Sequence, residues 1–222
     1  MYKRYKNDEC LICFDNIQDN ADLIQTFLSN DVICSKCRNK FHIINKVINI
    51  DNEKCLALYE YNDFFMEMLV QYKEFNDEAL YSIFLYPFIK RINKEYKGYT
   101  IVFVPSTKEK IDERGFNHLE KMFSDINLDK VELFYKTRTL DQKKQGYSKR
   151  QKVYQHIHLK KEHPVVNTKV LLVDDVLTTG ASIKACTKLL KELDLEYEIL
   201  VISCNHTYLG RKEENERQSK MV

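Results

Sequence analysis

The chain has 222 residues, of which 44% are hydrophobic and 31% are charged, and its formal net charge is only +2. This composition indicates a globular protein with a core of ordinary size. The net charge is close to zero, so it does not indicate nucleic acid or an anionic membrane as a binding partner of the chain as a whole. The N-terminus lacks the apolar segment of a signal peptide, and no apolar stretch approaches the roughly 18 residues of a membrane span. We therefore expect a cytoplasmic protein without membrane insertion.

Two pairs of cysteines lie near the start of the chain. They are Cys10 with Cys13 and Cys34 with Cys37, each pair with CxxC spacing and the two pairs separated by twenty residues. In a reducing compartment this spacing indicates a metal, and four thiolates form the closed tetrahedral shell of a structural zinc. Buried free cysteines or a redox pair are the alternatives. Zinc is favoured because residues 1–45 hold too few large apolar side chains to fold without it.

Strands and helices alternate along the rest of the chain. After an irregular connector over residues 38–53, the apolar patterns predict strands over 55–61, 100–104, 131–135, 154–159, 170–173 and 197–203, and helices over 63–73, 77–96, 116–126 and from 182. This alternation predicts an α/β fold with a mostly parallel sheet covered by helices on both faces. We expect a zinc-binding module with its connector over 1–53, the main domain over 54–206 and a mobile tail over 207–222.

The segment VLLVDDVLTTGAS, residues 170–182, carries the strongest functional signal. Its apolar run predicts a buried parallel strand, and Asp174 and Asp175 come where that strand is expected to end, which is where open α/β sheets bind ligands. A loop of small and hydroxyl residues then leads into a helix, whose first N–H groups suit a phosphate. The segment therefore predicts a site for a phosphorylated sugar, with Thr178, Thr179, Gly180, Ala181 and Ser182 around the phosphate.

Two further segments carry functional signals. The strand over 100–104 ends at a turn whose candidates for binding a ligand are Ser106, Thr107, Lys108 and Arg114. The segment 136–152 is strongly basic, and it suits a lid that closes over a ligand, or a surface for nucleic-acid phosphates with Tyr147 available for stacking. An ordinary solvated loop is the remaining alternative. Its cations are Lys136, Arg138, Lys143, Lys144, Lys149, Arg150 and Lys152, against the single acid Asp141.

The segment 170–182 resembles the signature of the type I phosphoribosyltransferases. The resemblance implies that Asp174 and Asp175 hold the ribose hydroxyls of phosphoribosyl pyrophosphate, that residues 178–182 wrap its 5'-phosphate, and that magnesium accompanies the ligand. It also implies that the turn after the strand 100–104, with Arg114, faces the pyrophosphate. Purine-salvage members carry an acidic general base where this chain has Thr178, so purine salvage is not expected here.

The order of all these motifs resembles the ComF family of competence proteins. The resemblance rests on the cysteine pairs, on Arg114-Gly115-Phe116-Asn117, on Gln142 and Arg150, and on the segment 170–182; the family's asparagine after the lid arginine is replaced here by Val153. It implies a catalytic or ligand-binding role for Lys73, and a cytoplasmic role in natural transformation with single-stranded DNA and a DNA-uptake helicase as partners. In that role Lys143, Lys144 and Arg150 are the candidates for DNA contact, and a homodimer is a further expectation. The alternative is an active phosphoribosyltransferase of nucleotide or related metabolism that acts on an unidentified acceptor.

Overall fold

The structure, a computed structural model, describes residues 9–17, 31–137, 156–161 and 169–210. Its strands are β1 (Ile43–Ile50), β2 (Glu53–Glu60), β3 (Thr100–Phe103), β4 (Asp129–Val131), β5 (Phe134–Lys136), β6 (Ile157–Leu159), β7 (Lys169–Leu177) and β8 (Glu196–Cys204). Its helices are α1 (Ser35–Arg38), α2 (Asp63–Glu74), α3 (Tyr81–Leu85), α4 (Ile89–Glu95), α5 (Lys108–Arg114), α6 (His118–Met122) and α7 (Ala181–Glu192). None of these helices is long and apolar enough to span a bilayer.

Six strands form one sheet in the order β1-β2-β8-β7-β3-β4. All neighbouring pairs in it are parallel except β1 with β2, and β5 and β6 form a separate antiparallel pair. Alternate residues of the central strands enter two apolar clusters, one with Leu171 and Val173 and the other with Val170 and Leu172. Because successive strand residues point to opposite faces, the sheet is covered on both sides, and the predicted α/β class is confirmed.

The predicted irregular connector over 38–53 is wrong for its second half, because β1 occupies Ile43–Ile50. The apolar residues of β1 alternate imperfectly with Asn and Lys, which hides the strand in the sequence. The strand forms because it pairs with β2 through a tight turn at Asp51, which adopts a φ of 53° that aspartate tolerates. The connector therefore supplies the antiparallel edge of the main sheet.

Two helix predictions are also corrected. The helix expected over 77–96 is broken into 3-10 turns at Glu78–Leu80 and Tyr86–Phe88, with α3 and α4 after them. The second break falls at Pro87, which offers no backbone donor. The loop expected over 105–115 contains α5, which ends at Gly115 with a φ of 82°. Helix α6 is accordingly shorter than the helix expected over 116–126. The strand expected over 131–135 is likewise divided between β4 and β5.

The cysteine module packs directly onto the main core. Cys10, Cys34 and Cys37 are buried in the same apolar cluster as Phe65 and Phe84 of the helical layer. A buried hydrogen bond joins the two parts, since Arg38 donates to the carbonyl of Ile83 at 2.6 Å. The same guanidinium forms an ion pair within the module, from Nη2 to Asp31 at 2.7 Å. The remaining cysteines, Cys55, Cys186 and Cys204, are buried core residues.

Candidate functional site

The two aspartates lie on strand β7 where it extends past the end of its neighbour β3. On one side β3 pairs with β7 only as far as Val173, whereas on the other side β8 accompanies it to Leu177. The strand thus continues past the predicted end, and Asp174 and Asp175 lie on it beyond the last residue of β3. Asp174 is partly exposed and Asp175 is buried. The arrangement places both carboxylates at the carboxyl end of the sheet, where ligands bind in open α/β folds.

The loop after β7 turns sharply into α7. Gly180 precedes the helix with a φ of 71°, a left-handed conformation that glycine adopts without strain. Thr178 and Thr179 are exposed, and the hydroxyl of Thr179 accepts from the backbone N–H of Ala181 at 3.4 Å. The first N–H groups of α7 lack intrahelical partners, so this turn offers donors and a positive dipole end to an anion.

Replacing Gly180 by alanine is expected to destabilise the protein and to displace this turn. An added Cβ would lie 2.8 Å from Cγ2 of Ile50 in β1, and the positive φ adds backbone strain. We expect a loss of about 2–4 kcal/mol in the free energy of unfolding, measured by urea denaturation. The matched control is Gly98→Ala, with a φ of 89° and no atom within 4 Å of its Cβ, which should lose only about 1–2 kcal/mol. Equal losses in the two variants would show that the contact with Ile50 does not matter.

A cavity of about 570 Å³ lies between the aspartates, the loop before α7 and the turn after β3. It brings together most of the residues predicted from the sequence. The predicted residues that line it are Lys73, Ser106, Thr107, Asp174, Asp175, Thr178, Thr179, Gly180, Ala181 and Ser182, and the lining also includes Lys110, His118 and Lys136. Lys108 instead lines a neighbouring cavity of about 480 Å³ on the far side of the same turn. The first cavity therefore has a carboxylate side, a helix N-terminus and a lysine-rich side.

Arg114 takes part in this site indirectly. It is only 8% exposed and is not among the described residues that line the cavity. Its guanidinium donates from Nε to the backbone carbonyl of Lys73 at 2.8 Å and from Nη1 to Nδ1 of His118 at 3.1 Å. Arg114 thus supports two residues that line the cavity, and its own contact with a pyrophosphate stays a prediction.

His118 is a site residue that the sequence did not indicate. Its Nε2 donates to Oδ2 of Asp175 at 2.9 Å, and the same oxygen accepts from Nζ of Lys73 at 2.5 Å. The His118 backbone carbonyl accepts from the hydroxyl of Tyr72 at 2.8 Å. In the sequence this histidine simply follows the Asn117 cap of a short helix, and its partner Asp175 lies 57 positions away. No local pattern could therefore have identified it.

The pKa values of His118, Asp174 and Asp175 are shifted in different directions. Burial lowers the pKa of His118 below its ordinary value, although Asp175 opposes the shift. Burial by itself raises the pKa of Asp175, but the hydrogen bond from His118 and the charge of Lys73 outweigh it and hold this pKa well below the usual range. Burial and the charge of Asp175 raise the pKa of Asp174 well above its usual value. Its surroundings therefore favour the ionised form of Asp175 and disfavour the ionised form of Asp174 in the unliganded protein.

The four N-terminal cysteines form a compact cluster that could hold a metal ion. The sulfur atoms of Cys10, Cys13, Cys34 and Cys37 all lie within 4.8 Å of one another, and those of Cys13 and Cys34 are 3.6 Å apart. Tetrahedral coordination with metal–sulfur bonds of about 2.3 Å requires sulfur atoms about 3.8 Å apart. The observed cluster fits that requirement, with three of its cysteines buried and Cys13 exposed.

The basic segment begins beside the cavity. Lys136, the last residue of β5, lines the cavity and forms a bridge with Thr107 of the turn after β3. Strand β6 resumes next to β5, with Ile157 opposite Lys136. Lys143, Lys144 and Arg150, the candidates for DNA contact, lie outside the described residues.

Comparisons with known proteins give a family match and a curated relative. The family model "Phosphoribosyl transferase domain" matches residues 88–221, which is more than half of the chain. The curated "Competence protein ComFC" of Streptococcus pneumoniae is 29% identical over 136 residues, covering 61% of this chain and 61% of that protein. The chain thus matches less than two thirds of this relative's length.

Among solved structures, similarity extends to nucleobase phosphoribosyltransferases. A hypoxanthine phosphoribosyltransferase from Staphylococcus aureus is 17% identical, with a TM-score of 0.37 and coverage of 61% of this chain and 66% of that one. An adenine phosphoribosyltransferase from Saccharomyces cerevisiae is 17% identical, with a TM-score of 0.39 and coverage of 62% and 76%. The curated relative confirms the resemblance to the ComF family, and on the family match the chain belongs to the phosphoribosyltransferase domain family.

Proposed function

We propose that this chain is a ComF-type protein that binds phosphoribosyl pyrophosphate with magnesium in the cavity beside Asp174 and Asp175. The observation that carries the proposal is that one cavity joins the acidic pair, the glycine turn at the start of α7, and the turn after β3 together with three lysines from other elements. These three surfaces match the three parts of the ligand, which are ribose hydroxyls, a 5'-phosphate and a pyrophosphate. A carboxylate accepts hydroxyl protons, whereas N–H groups and ammonium groups donate to phosphate oxygens.

The two phosphate-bearing ends of the ligand are assigned to opposite sides of the cavity. The 5'-phosphate binds the turn formed by residues 178–182, where α7 supplies unpaired N–H groups. The pyrophosphate binds near Ser106 and Thr107, where three lysines line the cavity; they are Lys73, Lys110 and Lys136. The ribose then lies between these ends, with its hydroxyls towards the acidic pair.

Magnesium fits this cavity as an ion that arrives with the ligand. Proteins hold magnesium through one or two carboxylates together with substrate phosphates and water, rather than in an all-protein cage. The carboxylates in the cavity are Asp174 and Asp175, and Asp175 is already neutralised by Lys73 at 2.5 Å. Magnesium supplies charge neutralisation for the pyrophosphate when it is bound.

Binding is favoured over purine-base transfer by the residue at position 178. Threonine stands where the purine-salvage enzymes carry an acidic base, and its hydroxyl does not act as a base near neutral pH. An active transferase that uses a different acceptor is the alternative function of the same cavity. An assay for pyrophosphate release in the presence of an acceptor distinguishes these functions. An active transferase releases pyrophosphate from the ligand, whereas a protein that only binds the ligand does not.

The other proposed features follow from the relative and the cysteine cluster. We assign a structural zinc ion to Cys10, Cys13, Cys34 and Cys37, because four thiolates form a closed shell without a position for substrate. The curated relative is named as a competence protein, which supports a role in competence. We propose that this role is a cytoplasmic step in the uptake of single-stranded DNA. In that role a DNA-uptake helicase and single-stranded DNA are the partners, Lys143, Lys144 and Arg150 contact DNA, and the chain pairs with a second copy.

Thermal unfolding with defined ligands tests the proposed site. At a concentration of about 100 times Kd, a ligand that binds only the folded state stabilises it by about 2.7 kcal/mol, which for a chain of this size raises Tm by about 5–10 °C. We expect this shift with phosphoribosyl pyrophosphate and magnesium, and smaller shifts with ribose 5-phosphate or pyrophosphate alone. An unchanged Tm at millimolar ligand would contradict the proposal.

A further inference from the structure

Four residues beside the cavity form a closed ring of hydrogen bonds. Lys73 and His118 both donate to Oδ2 of Asp175, at 2.5 Å and 2.9 Å. Arg114 donates to Nδ1 of His118 at 3.1 Å and to the backbone carbonyl of Lys73 at 2.8 Å, which closes the ring. The four residues belong to α2, α5, α6 and β7, so the ring ties three helices to the central strand.

The hydrogen bonds fix where the proton of His118 lies. An arginine guanidinium has donors only, so Nδ1 of His118 must accept the bond from Arg114. A neutral imidazole with an accepting Nδ1 carries its proton on Nε2, which is the atom that faces Asp175. His118 is 4% exposed, and the hydroxyl of Tyr72 holds its backbone carbonyl. The ring therefore requires one tautomer in one orientation.

Within the ring, Lys73 lines the cavity, and both carboxylate oxygens of Asp175 already accept hydrogen bonds from the protein. Oδ2 of Asp175 accepts two bonds, and Oδ1 accepts from the backbone N–H of Val176 at 2.7 Å. Lys73 uses one of its three donors on Asp175 and lines the cavity, so its others are available to an anion. Asp174 has a different environment, because the donor to it among the described residues is the N–H of Asp175, to Oδ1 at 2.9 Å.

We propose that His118 is a positioning residue that, by holding Asp175, directs the ammonium group of Lys73 at the anionic part of the ligand. The two aspartates then have different roles. Asp174 receives the ribose hydroxyls, whereas Asp175 is the fixed anchor of Lys73. This inference rests on the proposed function, because that function supplies the anion which Lys73 meets.

Two substitutions that place an amide side chain at position 118 distinguish a positioning role from a merely structural one. In His118→Gln the longer side chain places its NH₂ group near the original Nε2, so donation to Asp175 is retained. In His118→Asn the shorter amide replaces Nδ1 and does not reach Asp175. Titration calorimetry with phosphoribosyl pyrophosphate and magnesium should give a Kd within about threefold of wild type for His118→Gln and a Kd at least about tenfold weaker for His118→Asn. Equal affinities for the two variants would overturn the proposal.

Nuclear magnetic resonance of the unliganded wild-type protein supplies a readout that does not depend on the ligand. Imidazole ¹⁵N signals should show His118 neutral at pH 7 with its proton on Nε2, and the ammonium signal of Lys73 should be protected from exchange. The protection should persist in His118→Gln and be lost in His118→Asn. An Nδ1–H tautomer, or protection that is the same in both variants, would refute the positioning role. If the ring is confirmed but the wild type does not bind the ligand, the proposed function fails and the ring stands.

Discussion

Replacing Asp174 by asparagine is expected to weaken the binding of phosphoribosyl pyrophosphate by about 100-fold. Asp174 is the partly exposed carboxylate of the cavity, and the proposed bonds from ribose hydroxyls to its ionised form are charge-assisted. Losing the charge that strengthens two such bonds costs about 3 kcal/mol, which corresponds to a factor of about 100 in Kd. Titration calorimetry in the presence of magnesium measures the change directly.

The same substitution should leave the unliganded protein at least as stable at neutral pH. Burial and the neighbouring Asp175 raise the pKa of Asp174 in the folded state, so its ionised form costs stability at pH values above the unfolded pKa. Asparagine removes that cost, whereas Asp175→Asn breaks the bonds to Lys73 and His118 and should lower Tm as well as affinity. Asp194→Asn, at an exposed position after α7, is the matched control and should retain the wild-type Kd. Wild-type affinity in Asp174→Asn would remove this residue from the site.

Replacing Cys34 by serine is expected to release the metal and to lower the free energy of unfolding by about 4 kcal/mol or more. The cysteines form a cluster with room for one ion, and metal binding in such modules contributes directly to folding. Cys34 is fully buried and belongs to the same apolar cluster as Phe41 and Phe84. The loss should therefore extend beyond the cysteine module, since Arg38 links α1 to the carbonyl of Ile83 in α3.

Cys186 provides a matched control for this substitution. It is equally buried but lies in the other apolar cluster, away from the four cysteines. Cys186→Ser should cost about 1–3 kcal/mol for a buried hydroxyl and should keep one metal ion per chain. Elemental analysis gives the metal content and urea denaturation gives the free energy of unfolding. A metal-free Cys34→Ser protein that is as stable as Cys186→Ser would exclude a structural role for the metal.

Most of the predicted residues that the structure brings to one cavity lie in a short continuous segment. The apolar run of β7, the two aspartates and the turn at Gly180 follow one another within residues 170–182, so local chemistry and spacing were sufficient. The cysteine pairs were recognised for the same reason, since each CxxC spacing reports local geometry.

The remaining features depend on contacts between distant parts of the chain. Lys73 meets Asp175 across 102 positions, and the burial of Arg114 cannot be deduced from its place near a helix end. Strand β1 was hidden because its polar residues are tolerated only at the edge of a sheet, and its partner β2 decides its conformation. Only the folded chain shows that the predicted cation Arg114 supports Lys73 and His118.

Calorimetric titration of the wild-type protein with phosphoribosyl pyrophosphate in the presence of magnesium tests the central claim most directly. We predict saturable binding of one ligand per chain, competed by ribose 5-phosphate and by pyrophosphate, because each fragment occupies one end of the cavity. A titration without heat of binding, together with an unchanged Tm at millimolar ligand, would contradict the assignment of this cavity.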